Sequence, residues 1–306
     1  MSAPASDNAT SVYITAPDGL RLHARCYGSR SAAGIPVVCL PGLARTAADF
    51  DALATALVRE APHARRVIAL DYRGRGLSQY DRNPANYSLP VELADVLAVL
   101  SATEALPAIF IGTSRGGILT MLLAAARPTA IAGVVLNDIG PVIEPQGLMR
   151  IKSYVGKLPE PRNFEEGAEI LRRLFHSQFP RLEAEDWLAG ARRTFKEENG
   201  RLVTTYDRKL ATAMQGIDLE RPVPTLWKEF DALAPVPVMV VRGANSDILS
   251  ATSVTQMRAR HPTLDTLEVA DQGHAPLLAE SDVISPIARF IERCTSSRLQ
   301  DSGARL

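Results

Sequence analysis

Five short runs of unbroken apolar residues, Pro36 to Leu40, Val67 to Leu70, Ala108 to Ile111, Gly133 to Leu136 and Val236 to Val241, are bounded by turn residues and separated by stretches of helical periodicity. A strand that is apolar at every position has both faces covered, and runs this short are strands rather than helices. The pattern predicts a mostly parallel sheet flanked by helices. One helix is expected over Leu89 to Leu100, with Ser88 as cap, Pro90 in the first turn and Val91, Leu93, Val96, Leu97 and Leu100 on its apolar face. Another runs from about Gly117 to Ala126 and stops before Arg127-Pro128. The chain opens differently: Val12-Tyr13-Ile14 and Leu20 to Tyr27 flank Pro17-Asp18-Gly19, which reads as an antiparallel hairpin.

Between Pro141 and Pro235 the apolar strand runs vanish, and two amphipathic helices replace them, one carrying Phe164, Ala168, Leu171 and Phe175, the other Trp187, Leu188, Ala191 and Phe195. This segment is expected to form a helical cap, residues 141–235, inserted into a core of residues 1–140 and 236–306. After it the alternation resumes with Val236 to Val241, a helix over Thr252 to Arg260, a strand over Leu264 to Val269 and a last helix through Ile284 to Glu292. The polar tail from Ser296 to Leu306 is expected to fray.

Composition removes several function classes. Lys+Arg and Asp+Glu both number 34, so no net positive charge draws the chain to nucleic acid or anionic lipid. Hydrophobic residues at 46% and charged residues at 22% are those of a soluble globule. Cys26, Cys39 and Cys294 form no C-x-x-C pair and are expected to be reduced, mostly buried thiols. The five histidines, His23, His63, His176, His261 and His274, never stand at i, i+4, and no glycine-rich turn carries a P-loop lysine or a dinucleotide fingerprint, so neither metal nor cofactor is expected. Residues Met1 to Asn8 lack a basic and an apolar region, and no stretch approaches 18 apolar residues, which predicts a cytoplasmic protein with no membrane partner.

Chemistry concentrates at Gly112-Thr113-Ser114-Arg115-Gly116-Gly117, directly after one expected strand and before one expected helix. A G-x-S-x-G turn in that context is tight enough to need very small neighbours, and it lifts the serine hydroxyl clear of the sheet edge. A serine hydroxyl needs a base, and the base needs an orienting acid. His274, in Asp271-Gln272-Gly273-His274-Ala275-Pro276 past the last strand, is expected to be the base. Two acids fit the chain order: Asp247, after the strand Val236 to Val241, and Asp138, after Gly133 to Leu136. Asp247 is favoured, with Asp138 read as a turn residue at the entrance to the cap. The oxyanion donors are expected to be the backbone N–H groups of Arg115 and of Leu43, in Leu40-Pro41-Gly42-Leu43-Ala44-Arg45-Thr46.

With these landmarks, and with Asp71-Tyr72-Arg73-Gly74-Arg75-Gly76-Leu77-Ser78 after the fourth strand, the chain resembles the α/β-hydrolase superfamily over about Val12 to Glu292. The resemblance is to its cap-bearing group of bacterial carboxylesterases, enol-lactone hydrolases and C–C bond hydrolases. It implies an α/β fold with a mostly parallel eight-stranded sheet, a cap inserted after the sixth strand, and the triad Ser114, Asp247 and His274. Relatives commonly have His-Gly where this chain has Pro41-Gly42, and many have a hydrophobic or polar residue where it has Arg115. Arg115 and Arg45 are read either as binding a substrate carboxylate or, for Arg115, as turning away to pair with an acid such as Asp138. Arg73 and Arg75 are expected to brace loops. Trp187 and Trp227, with Phe164 and Phe175, are expected either to wall the substrate pocket or to be plain cap core. The expected reaction is hydrolysis of a small carboxylic ester or lactone through an acyl-enzyme on Ser114. C–C bond hydrolysis or perhydrolysis on the same triad, and a non-catalytic ligand receptor, are the alternatives.

Overall fold

The computed structural model describes residues 9–59, 64–215 and 221–303, so His63 and the Met1 to Asn8 segment lie outside the described residues. Eight strands form one sheet: β1 (Ala9–Thr15), β2 (Arg21–Tyr27), β3 (Val37–Leu40), β4 (Val67–Asp71), β5 (Ala108–Thr113), β6 (Ile131–Asn137), β9 (Val238–Gly243) and β10 (Asp265–Val269), in the order β1-β2-β4-β3-β5-β6-β9-β10. Only β1 with β2 and β2 with β4 pair antiparallel, so the opening hairpin forms and the rest of the sheet is parallel.

Side chains alternate across this sheet, as a pleated strand requires. Val38, Leu40 and Phe110 point to the face covered by α2 (Leu89–Ala102) and α3 (Arg115–Ala126). Val37, Cys39, Ile109 and Ile111 point to the face covered by α1 (Asp51–Arg59) and α10 (Ser281–Gly303). Both faces are dry, which is why β3 and β5 read as continuous apolar runs. Each such fully buried side chain contributes roughly 1.5–3 kcal/mol. The last helix does not end near Glu292 as expected but continues to Gly303. Cys39 and Cys294 are buried free thiols and Cys26 is half-buried. Among the described residues no helix is long and apolar enough to cross a membrane.

Between β6 and β9 runs the insertion: α4 (Pro145–Tyr154), α5 (Phe164–Phe175), α6 (Ala184–Thr194), the hairpin β7 (Phe195–Glu198) and β8 (Arg201–Thr204), α7 (Ala211–Gln215) and α8 (Trp227–Asp231), with α9 (Ala251–Arg260) following β9. Helix α5 starts where the Asn163 side chain accepts the Glu166 N–H, with Glu165 and Glu166 in its first turn and Arg172 and Arg173 in its last, each placed to complement the helix dipole. Leu158, Leu171, Phe179, Trp187, Ala191, Phe195 and Leu202 form a small core of the insertion's own. The hairpin lies where only helices were expected. It closes through Asn199-Gly200, both at positive φ, a two-residue turn whose twist matches the strands.

Candidate active site

Because β3, β5, β6, β9 and β10 run parallel, the loops leaving their C-terminal ends gather at one sheet edge, where α/β proteins place ligands. Ser114 follows β5 directly, at φ 51° and ψ −113°, and α3 starts at the next residue. A non-glycine residue at positive φ is strained, and the structure enforces it by packing: a side chain on Gly116 would collide with the Leu40 carbonyl of β3. The Ser114 N–H is held by Asn137 O at 3.0 Å, so the end of the neighbouring strand β6 fixes the turn from the other side.

His274 stands in the loop after β10. Its backbone N–H donates to Gln178 Oε1 at 3.2 Å, and Asn137 Nδ2 holds the loop through Pro276 O at 3.1 Å. Its Nε2 lies 2.8 Å from Ser114 Oγ, and its Nδ1 lies 2.8 Å from Asp138 Oδ2. Asp138 is completely buried and receives two further donors, the Gly243 N–H on Oδ1 at 2.9 Å and Ser246 Oγ on Oδ2 at 2.6 Å. Three donors converge on this carboxylate, which is what a buried charge requires. An ionised Asp138 can only accept, so Nδ1 carries the imidazole proton and Nε2 is left free to accept from the serine hydroxyl.

Asp247, expected to be the orienting acid, is placed elsewhere. Its two oxygens accept Arg150 Nε at 2.6 Å and Nη2 at 2.8 Å, a bidentate pair between the β9 loop and α4 of the insertion. Burial pushes its carboxyl up, but the Arg150 guanidinium outweighs burial and holds it below the ordinary aspartate range. The cause lies in the turn after Gly243. Ser246 N–H closes on Gly243 O at 3.0 Å, and this points Ser246 inward to Asp138 while Asp247 faces α4. Asp138 directly follows β6, the strand beside β5, and needs no such reach.

Residues 37–290 match the alpha/beta hydrolase family over most of the chain. The chain belongs to that family. It is similar to a 3-hydroxybutyrate-oligomer hydrolase of Cupriavidus necator, 32% identical over 83% of this chain and 87% of the relative. It is also similar to the sn-1-specific diacylglycerol lipase ABHD11 of Xenopus tropicalis, 28% identical over 86% and 79% of the two chains. Among solved structures, an alpha/beta hydrolase from Novosphingobium aromaticivorans superposes with a TM-score of 0.85 at 39% identity, covering 94% of this chain and all of the other.

The remaining expected residues divide. In this α/β hydrolase Leu43 lies in the loop after β3, and a side-chain carbon placed on the preceding Gly42 would stand 3.8 Å from Ser114 Cβ, so that loop abuts the serine. Arg115 opens α3, where first-turn N–H groups have no intrahelical acceptor. Its side chain pairs with Glu92 at 2.5 Å, not with Asp138. Arg45 spends its guanidinium on Asp49, at 2.6 and 2.5 Å, and on Thr194 Oγ1 at 3.0 Å, which leaves no open fork for a substrate carboxylate. Trp187 is buried in the insertion's own core, with its indole N–H on Leu182 O at 3.1 Å. Trp227 packs against the main core beside α3, with the Arg260 guanidinium 4.4 Å over its ring. Arg73 braces loops as expected, bonded to Asp95, Asp18 and Asp81.

A second serine–histidine–aspartate arrangement exists at Ser11, His23 and Asp71, with spacings of 3.0 and 2.7 Å. Ser11 sits mid-strand in β1, with no turn and no helix N-terminus beside it to supply oxyanion donors. Asp71 there also accepts the Ala47 and Leu77 N–H groups, which makes it a loop anchor.

Proposed function

We propose that this α/β hydrolase cleaves a carboxylic ester through an acyl-enzyme on Ser114. The observation that carries the reading is the continuous chain from Ser114 Oγ through His274 to a buried Asp138 at 2.8 Å for each step. Ser114 Oγ attacks the ester carbonyl while His274 Nε2 takes its proton, and Asp138 steadies the imidazolium. The Leu43 and Arg115 N–H groups stabilise the oxyanion, each such donor supplying on the order of 3 kcal/mol of barrier lowering. Collapse expels the alcohol, which takes the proton from His274. The same nitrogen then deprotonates water, which attacks the acyl group and frees the acid and Ser114.

The insertion, residues 141–235, serves as the cap, tied to the core where Arg45 bonds Thr194 and Arg150 bonds Asp247. The substrate class we favour is the ester of a short hydroxy acid, supported by the similarity to a 3-hydroxybutyrate-oligomer hydrolase across most of both chains. The test is turnover of the linear dimer and trimer of 3-hydroxybutyrate beside p-nitrophenyl butyrate, with Ser114→Ala in parallel. Release of 3-hydroxybutyrate that disappears in Ser114→Ala is expected. Turnover retained in that variant, or cleavage of a diketo acid without ester turnover, overturns the reading; cleavage of p-nitrophenyl butyrate alone overturns only the substrate class.

A further inference from the structure

Glu92, on α2, is completely buried and makes two contacts with buried or half-buried guanidinium groups. Its Oε1 lies 2.7 Å from Arg75 Nη1, and its Oε2 accepts Arg115 Nε at 2.5 Å. Arg75, also completely buried, donates Nε to Leu43 O at 2.8 Å and Nη1 to Arg73 O at 2.6 Å. The rings of Tyr72 and Tyr87 cover its guanidinium at 5.5 Å each. One carboxylate therefore reaches both halves of the oxyanion site: Leu43 through Arg75, and Arg115 directly.

Stability does not account for this cluster. Two cations and one anion are taken out of water, and both Arg75 Nη2 and Glu92 Oε1 remain buried without a hydrogen-bond partner, so Glu92 holds Arg75 by charge at 2.7 Å and Arg115 by a hydrogen bond. Buried ion pairs of this kind are often matched or surpassed by apolar side chains of similar volume. Geometry accounts for it better, because the Leu43 loop and the N-terminus of α3 come from distant parts of the chain and must present two N–H groups to one oxygen.

We infer that Glu92 is a positioning residue that sets the separation of the two oxyanion donors by tying Arg75, which holds the Leu43 carbonyl, to Arg115. The inference rests on the reading of Leu43 and Arg115 as oxyanion donors. With Glu92→Gln, one oxygen is replaced by an N–H₂ that faces an arginine donor, so one arm is repelled while side-chain volume is kept.

The measurement is the rate at which a fluorophosphonate probe labels Ser114, expressed per titrated active site, in wild type, Ser114→Ala, Glu92→Gln, Arg75→Lys and Arg115→Met. The phosphonyl oxygen takes the oxyanion position as fluoride leaves, so the rate reads donor placement. A misplacement of about 1 Å costs on the order of 10²-fold, and that slowing is expected for Glu92→Gln, with kcat on p-nitrophenyl butyrate falling in parallel and KM within about threefold. Arg75→Lys and Arg115→Met each cut one arm and are expected to slow labelling about tenfold; they carry the test where Glu92→Gln does not fold. A merely structural role lowers the number of titratable sites and the melting temperature but leaves the rate per site at the wild-type value, and that result overturns the inference. Wild type that is not labelled at all fails the serine reading instead.

Discussion

Replacing Asp138 by asparagine tests which acid serves His274. In Asp138→Asn the new side chain would keep its oxygen on the Gly243 N–H, whereas the Ser246 hydroxyl, whose oxygen already accepts the Ile248 and Leu249 N–H groups, loses its acceptor. The third partner carries the catalytic consequence. An amide N–H facing His274 Nδ1 makes that nitrogen the acceptor, which moves the imidazole proton to Nε2 and turns it against Ser114 Oγ. Aspartate-to-asparagine changes of this kind in a serine–histidine–aspartate triad cost about 10⁴ in kcat, or about 5.5 kcal/mol at 1.36 kcal/mol per tenfold. Asp247→Asn instead breaks the bidentate pair to Arg150. Hydrogen bonds to charged groups contribute about 1.5–3 kcal/mol, so this variant is expected to lose stability of that order while kcat stays within about tenfold of wild type. The assay is steady-state hydrolysis of p-nitrophenyl butyrate, with urea unfolding of both variants. If Asp247→Asn abolished turnover and Asp138→Asn did not, the assignment of the orienting acid would be refuted.

The Asp247–Arg150 pair also carries a pH dependence. Its carboxyl is held below the ordinary aspartate value of 3.8, so the stability it adds is fully present above about pH 4 and is lost as pH falls through the lower folded value; the difference in unfolding free energy between wild type and Asp247→Asn is expected to shrink over that range. Gly116→Ala drives a methyl group into the Leu40 carbonyl, and a cost of about 1–3 kcal/mol is expected together with lost turnover, read by calorimetry and assay. Ser11→Ala removes the serine of the second arrangement and is expected to leave kcat and fluorophosphonate labelling unchanged; a loss of either would give that cluster a chemical role.

Most of the fold was legible because burial on both faces writes itself as unbroken apolar runs, and β3, β5 and β6 lie where those runs stand. Ser114 and His274 were legible for a related reason: a glycine-bracketed serine between strand and helix, and a histidine past the last strand, leave few other placements at one sheet edge. The choice between Asp138 and Asp247 was not, since both follow parallel strands. It is decided by the Gly243 turn, which sends Ser246 inward, and by a partner, Arg150, from a distant helix. Arg45, Arg115 and Trp227 illustrate the same limit, because Asp49, Glu92 and Arg260 occupy them through contacts that no local pattern encodes. The β7–β8 hairpin did carry a signal, Asn199-Gly200 between Glu198 and Arg201, but the helical periodicity on its N-terminal side masks the change of period.

The most direct test of the central claim is intact-protein mass spectrometry of the enzyme quenched in acid during turnover of p-nitrophenyl butyrate, with peptide mapping of any adduct. A butyryl group on the peptide that carries Ser114, absent from Ser114→Ala, is the predicted result. Ester turnover with full activity in Ser114→Ala and no adduct on that peptide would contradict the account.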